Sequence, residues 1–153
     1  MINDIYNGTP AQLVSGPLSD DMLIGIAGVI RACAELEDCL NLTICSFAGI
    51  SETKMTILLG RTQVSRKAEI ALNLATTRTD DALAIFKKVW SPKIKKLFKH
   101  RNVVAHGVYL GKTEDGEFAF LSSESHFSDD RVFGQSVYTY TSELLRGVTD
   151  DVF

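Results

Sequence analysis

The sequence predicts a mainly α-helical domain that carries a small β insertion before its last helix. Three observations lead to this fold class. Apolar residues recur every three or four positions from Met22 to Phe47, which is the spacing of one helix face. Ser91 and Pro92 form a cap followed by proline, a signal that starts a helix. After Gly107 the pattern favours strands.

Boundary residues define the elements in order along the chain. Residues 1–18 are rich in glycine and proline and predict an irregular lead-in. Capping residues and glycines then delimit the helices, which we expect at 22–48, 51–59, 66–75, 81–90 and 92–106. A β-hairpin with a turn at 115–116, a candidate third strand and a short last helix follow. These later segments are expected at 108–110, 118–121, 132–140 and 141–152.

The length of 153 residues suits a single domain over residues 1–153. Apolar residues make up 45% and charged residues 23%, as is typical of a globular protein. Residues 1–10 lack the basic start and apolar run of a signal peptide. The apolar run at 23–30 is too short to span a bilayer. We therefore expect a cytoplasmic protein with no membrane partner.

Three cysteines, Cys33, Cys39 and Cys45, lie six residues apart in the first predicted helix. Successive ones point about 240° apart on a helix, so they cannot pair with one another or hold one metal ion. They are expected to be small core residues of a reduced, intracellular protein. The sequence indicates no metal site and no cofactor.

The charge distribution is uneven although the net charge is only −3. Residues 82–113 hold eight basic and no acidic side chains, and such a local field attracts anions. The predicted outward-facing lysines of this segment are Lys93, Lys95, Lys96 and Lys99, which could follow a phosphate backbone. The alternative is a lysine-rich helix face that serves only solubility.

The residues with the clearest chemical potential are Arg101, Asn102 and His106. Arginine offers a planar fork for phosphate, histidine moves protons near neutral pH, and asparagine can orient either group. Arg101 and His106 are five residues apart, which is about 140° around an ideal helix. They can act on one target only if the Arg101 side chain extends around the helix or if the helix becomes irregular at its end. Such a set could cleave RNA without a metal, by activating the 2′-hydroxyl and stabilising the phosphate charge. His100 adjoins the set and could assist as a second proton carrier, but the stronger expectation is an exposed helix residue that helps to bind RNA.

The segment Arg101-Asn102, three further residues, then His106-Gly107, after a lysine-rich helix, resembles the signature of the HEPN family. That signature is an arginine, four to six residues, then a histidine. The helix at 66–72 and the hairpin after the motif also resemble many bacterial members. One departure is Val108, where members paired with a nucleotidyltransferase antitoxin usually carry tyrosine.

The resemblance implies a HEPN-like helical bundle with a small β insertion after the motif helix and a short C-terminal helix. It also implies a homodimer with facing motifs, and metal-independent ribonuclease activity in toxin, phage-defence or RNA-processing roles. Arg101 and His106 would then be the catalytic pair and Asn102 a polar helper. RNA would be the substrate, and an antitoxin protein would be a further partner.

Two other functions are compatible with the residues. The first is a non-catalytic HEPN-like module that binds a nucleotide or a protein. The second is a dimeric helical scaffold in which Arg101 and His106 are structural. In that case Arg101 could pair with the acidic cluster formed by Glu35, Glu37 and Asp38.

Overall fold

A computed structural model of the chain describes residues 13–78, 80–90, 92–125 and 133–150, except for some side chains within these ranges. This part is mainly helical and contains a small three-stranded antiparallel sheet, which confirms the predicted fold class at that level. The helices are α1 Asp20–Ala48, α2 Glu52–Leu59, α3 Val64–Thr76, α4 Asp80–Val89, α5 Pro92–His106 and α6 Ser142–Asp150. The strands are β1 Val108–Lys112, β2 Phe118–Ser125 and β3 Phe133–Tyr140.

The longest helix, α1, has a clear signal at each end. The Ser19 hydroxyl accepts a hydrogen bond from the Met22 N–H at 3.3 Å, which caps the first turn. The helix ends before Gly49, whose φ of +66° is the left-handed conformation that favours glycine. The predicted apolar stripe supplies the buried face of this helix, with Met22, Val29, Cys33, Leu40 and Ile44.

The three cysteines of α1 are free thiols, but they differ in burial. Cys33 is buried, Cys45 is half-buried and Cys39 is exposed. The expectation that all three are core residues is therefore wrong for Cys39. Six residues turn its side chain about 240° away from the buried face that holds Cys33.

The described residues form two compact units. One comprises residues up to 30 together with residues from 97 onward, and the other comprises residues 31–96. The boundaries fall within α1 and α5, so each of these helices contributes to both units. Of the predicted lead-in, residues 1–12 lie outside the described part, and Val14 forms an isolated bridge with Lys112.

The unit of residues 31–96 packs side chains from α1, α2, α3 and α4 into one core. Its buried members are Leu40, Ile44, Met55, Ala68, Ala71, Ala75 and Phe86. The same unit holds a partly buried ion pair, in which the side chain of Lys67 in α3 is 2% exposed and that of Glu37 in α1 is 35% exposed, and Nζ of Lys67 donates to Oε1 of Glu37 at 2.6 Å. A buried ammonium without a partner would cost several kcal/mol, so the pair favours one arrangement of α3 against α1.

The other unit contains the sheet, in the strand order β1-β2-β3. Strand β1 runs antiparallel to β2 from the pair Val108 and Leu121, with a bulge between Tyr109 and Gly111. The buried side chains of the sheet are Phe118, Ala119, Phe120, Tyr138 and Tyr140. The central strand is thus covered by apolar and aromatic groups.

Helix α6 packs against the first half of α1 within this unit. Leu145 is fully buried, and a Cβ placed on Gly25 would lie 3.2 Å from the Leu145 Cβ. Nη2 of Arg146 is 2.8 Å from Oδ1 of Asp21. The two helices therefore meet through a close apolar contact and an exposed ion pair.

We expect Glu37→Gln to lower the free energy of unfolding by about 1–3 kcal/mol, because it leaves the buried Lys67 ammonium without a counter-charge, while solvent reaches the partly exposed side of the pair. Urea denaturation followed by circular dichroism measures this loss. Glu35→Gln is the matched control, since its pair with Arg31 is exposed and should contribute less than about 1 kcal/mol. Equal, small losses in the two variants would contradict a stabilising role for the partly buried pair.

Candidate functional site

Helix α5 carries the predicted site at its C-terminal end. Leu97, His100 and Val103 lie on its buried face. The helix stays regular to His106, and the Gly107 N–H donates to the carbonyl of Val103 at 2.7 Å. Buried side chains on one face therefore fix which residues of the last turns face away from the core.

Gly107 connects α5 to β1, and its Cα lies close to backbone carbonyls of α5 and β2. A Cβ at Gly107 would lie 2.4 Å from the Val103 carbonyl oxygen and 3.1 Å from the Leu121 carbonyl oxygen. Both obstacles are backbone atoms, so neither can move as a flexible side chain would. The closer obstacle belongs to α5 itself, and the Leu121 carbonyl of β2 would have to give by a few tenths of an ångström to admit a side chain.

Arg101 contacts both of the other motif side chains. Its Nη1 donates to Oδ1 of Asn102 at 3.1 Å and lies 3.1 Å from Nε2 of His106. Because α5 is helical up to His106, the angle of about 140° is bridged by the long arginine side chain and not by a loosened helix. All three predicted residues are thus brought together.

A hydrogen bond between Arg101 and His106 requires one particular tautomer of the histidine. A guanidinium can only donate hydrogen bonds, so Nε2 of His106 must accept through its lone pair. The hydrogen bond therefore assigns the ring proton to Nδ1.

The surroundings of the motif are open. Asn102 and His106 are exposed, and Arg101 is half-buried. Within the described ranges, no carboxylate forms an ion pair with Arg101 or His106. The pair therefore faces solvent as a cation beside a proton carrier.

Two members of the acidic cluster in α1 have partners within the unit of residues 31–96. Glu35 pairs with Arg31 at 3.1 Å, and Glu37 pairs with the buried Lys67 at 2.6 Å. A role of this cluster as the partner of Arg101 stays a prediction.

The predicted lysines occupy the same helix as the motif. Lys95, Lys96 and Lys99 are exposed, whereas the side chain of Lys93 lies outside the described part of the structure. Lys99 and Lys95 precede His106 by seven and eleven residues, spacings that place them on the same helix face. A row of positive charge thus leads along α5 to the motif.

The expectation that His100 is exposed is wrong. His100 is only 4% exposed, and its Nδ1 lies 3.1 Å from the hydroxyl oxygen of Tyr140. The two rings meet edge to face with their centroids 5.6 Å apart. The signal was present in the sequence, since His100 is three residues from both Leu97 and Val103 and falls on their apolar stripe.

This buried pair belongs to an aromatic layer on the sheet that sequence reasoning missed. Tyr140 packs on Phe120 with centroids 5.9 Å apart, and Phe120 contacts Tyr109 at 5.5 Å. The Tyr109 hydroxyl is buried and has no hydrogen-bond partner among the described residues. Burial raises the pKa of Tyr109, which keeps its phenol protonated at ordinary pH.

Comparison with protein-family models, curated proteins and solved structures finds no match to this chain. The resemblance to the HEPN family therefore rests on the motif residues and on the helix and hairpin that accompany them in the sequence. The described part of the chain contains no cluster of three or more histidine, cysteine, aspartate or glutamate side chains that could hold a metal ion. None of the helices described has the length and apolarity needed to cross a membrane.

We expect Gly107→Ala to lower the free energy of unfolding by about 1–3 kcal/mol, because the added methyl group must displace backbone carbonyls. Thermal unfolding followed by circular dichroism measures the effect. Gly147→Ala in α6 is the control: nothing lies within 4 Å of the added Cβ. Alanine is the better helix former there, so stability should rise by up to about 1 kcal/mol. An unchanged Gly107→Ala protein would contradict the close approach of α5 to β2.

Proposed function

We propose that this protein is a metal-independent endoribonuclease of the HEPN type that acts as a homodimer. The observation that carries the proposal is the contact of Arg101 with Asn102 and His106 at the exposed end of a basic helix. The motif resemblance supplies the reaction class. The geometry supports it because a cation and a proton carrier lie within one contact of each other.

In the proposed reaction, His106 removes the proton from a ribose 2′-hydroxyl. The freed oxygen attacks the adjacent phosphorus, and the bond from phosphorus to the 5′ oxygen of the next nucleotide breaks. The products carry a 2′,3′-cyclic phosphate and a 5′-hydroxyl. Arg101 stabilises the negative charge that develops on the phosphate oxygens, and Asn102 orients the guanidinium. A second acid must protonate the leaving oxygen.

The lysines of α5 would attract the RNA backbone. Lys95, Lys96 and Lys99 support this role because they are exposed on the helix that ends at the motif. Lys93 belongs to the same proposed set by its position in the sequence. Such contacts bind phosphates without reading bases, so they concentrate RNA near the site and do not select a sequence.

Two observations support a homodimer. The need for a second acid is met if a two-fold axis brings a second motif to the same substrate. In addition, α1 exposes apolar side chains on one face: Leu23 is 48%, Ile24 is 62% and Ile30 is 40% exposed. An exposed apolar face of this kind marks an interaction surface. We propose that a second copy of the chain covers it.

The biological setting is part of the same proposal. HEPN-type ribonucleases serve as toxins, in phage defence or in RNA processing, and a toxin would need an antitoxin protein as a partner. We propose the cytoplasm as the location. The three free cysteines of α1 support this choice, because thiols stay reduced there.

Digestion of RNA by the purified protein, with and without EDTA, tests the ribonuclease proposal. We expect cleavage in both conditions, and rates lowered by about 100-fold or more in Arg101→Ala and His106→Ala. Arg66→Ala is the control, because Arg66 is exposed and pairs only with Glu69 on its own helix. The ribonuclease proposal would be refuted if the wild type left RNA intact, or if all variants cleaved RNA as fast as the wild type. RNA that is bound but left intact would favour the non-catalytic module.

Light scattering during size-exclusion chromatography tests the dimer. We expect the wild type to elute as a dimer and the double variant Leu23→Asp/Ile24→Asp as a monomer, since two charges cannot be buried in an apolar interface without partners. Ile57→Asp, at a position of α2 that is 78% exposed, should remain dimeric. A monomeric wild type, or a dimer that tolerates the double variant, would exclude this face as the interface.

A further inference from the structure

We propose that the contact between Arg101 and His106 is a latch, which blocks the histidine until a phosphodiester binds the open edge of the Arg101 guanidinium. The purpose of the latch rests on the proposed ribonuclease function. Its opening needs only a phosphodiester, however, and can be measured without any cleavage.

Arg101 uses only part of its hydrogen-bonding capacity on Asn102 and His106. A guanidinium has five N–H groups, of which two belong to Nη1. Nη1 uses them on Oδ1 of Asn102 and Nε2 of His106, both at 3.1 Å. The Nε and Nη2 groups of Arg101 have no hydrogen-bond partner among the described residues. Together they form an edge of parallel donors that fits two oxygens of a phosphate.

The acceptor nitrogen of His106 is occupied while Arg101 contacts it. A neutral imidazole has one acceptor nitrogen, and in this arrangement it is Nε2. That nitrogen already accepts from Arg101, so it cannot also take the proton of a ribose hydroxyl. The contact that brings the two residues together therefore holds the base in a blocked state.

A phosphodiester would cause Arg101 to exchange one partner for another. Arg101 donates a single bond to an uncharged nitrogen of His106 in the resting site, whereas an anionic phosphodiester offers the guanidinium two parallel hydrogen bonds together with charge attraction, so the guanidinium gains by following the phosphate. Arg101 is only half-buried, which leaves its side chain room to swing. Asn102 can keep its hydrogen bond during the swing and limit its extent.

The result is a fixed order of events at the site. The phosphate binds first, Arg101 leaves Nε2, and His106 then has a lone pair available for the 2′-hydroxyl next to that phosphate. Arg101 would act both as the group that recognises the phosphate and as the group that releases the base. Activation of His106 would be confined to molecules that already hold a substrate.

Nuclear magnetic resonance of the full chain labelled with ¹⁵N-histidine tests the latch. The probe is thymidylyl-(3′→5′)-thymidine, a dinucleoside monophosphate that has no 2′-hydroxyl and cannot be cleaved by this route. Spectra are recorded at about pH 8, above the ordinary range of histidine titration. In the resting protein, we expect the chemical shift of Nε2 of His106 to be that of a nitrogen that accepts a hydrogen bond from Arg101. When the protein is saturated with the probe, we expect this chemical shift to move to that of a nitrogen hydrated only by water.

Variants separate the latch from general effects of binding. Arg101→Ala should show the opened Nε2 resonance without probe, and its affinity for the probe should fall by about tenfold or more. Arg66→Ala should behave as the wild type. The buried His100 is an internal control, whose resonances should not follow the titration. Because the wild-type titration needs no variant, it decides the question even if Arg101→Ala fails to fold.

Three results would overturn the latch: bound probe with an unmoved Nε2 resonance, a resting Nε2 that already matches Arg101→Ala, or no saturable binding of the probe. The outcomes also separate the latch from the enzyme. Opening by the probe in a protein that leaves RNA intact would keep the latch and refute the ribonuclease. Cleavage of RNA by a protein whose Nε2 resonance does not move when the probe binds would keep the ribonuclease and refute the latch.

Discussion

The close approach of the C-terminal end of α5 to strand β2 is the constraint on which the proposed site depends. A Cβ on Gly107 would press on the carbonyls of Val103 and Leu121, so a larger residue at the junction of α5 and the sheet would force backbone atoms to shift. Because the helix does not fray before His106, the separation between Arg101 and His106 is fixed. A long, half-buried arginine can bridge that separation, whereas a shorter side chain could not.

Two pairs that involve buried polar groups influence how the helices present their faces. Lys67 is paired with Glu37, and His100 with Tyr140. An unpaired buried polar group costs about 1–3 kcal/mol, so each pair favours one rotation of its helix over others. The burial of His100 has a direct consequence for its neighbour. One residue further along α5 is turned by about 100°, which brings Arg101 out of the core.

The motif joins a group that only donates hydrogen bonds to a ring that must be neutral to accept one. This complementarity explains why the two side chains meet although both are basic. In the proposed reaction the resting arrangement is not the reactive one, since the same nitrogen would have to hold Arg101 and receive a proton. The proposed site is completed by its substrate, and its second acid comes from outside the motif of one chain.

The sequence by itself determined the helices, the hairpin and the exposed lysines, because caps, glycines and apolar spacing act between residues that are close along the chain. It also determined that Arg101, Asn102 and His106 share one helix end. Only the tertiary structure decided which group faces His100 in the core, because its partner Tyr140 lies forty residues away. The same holds for Lys67 and Glu37, thirty residues apart. Local spacing places a residue on a helix, but the group that faces it is supplied by distant parts of the chain.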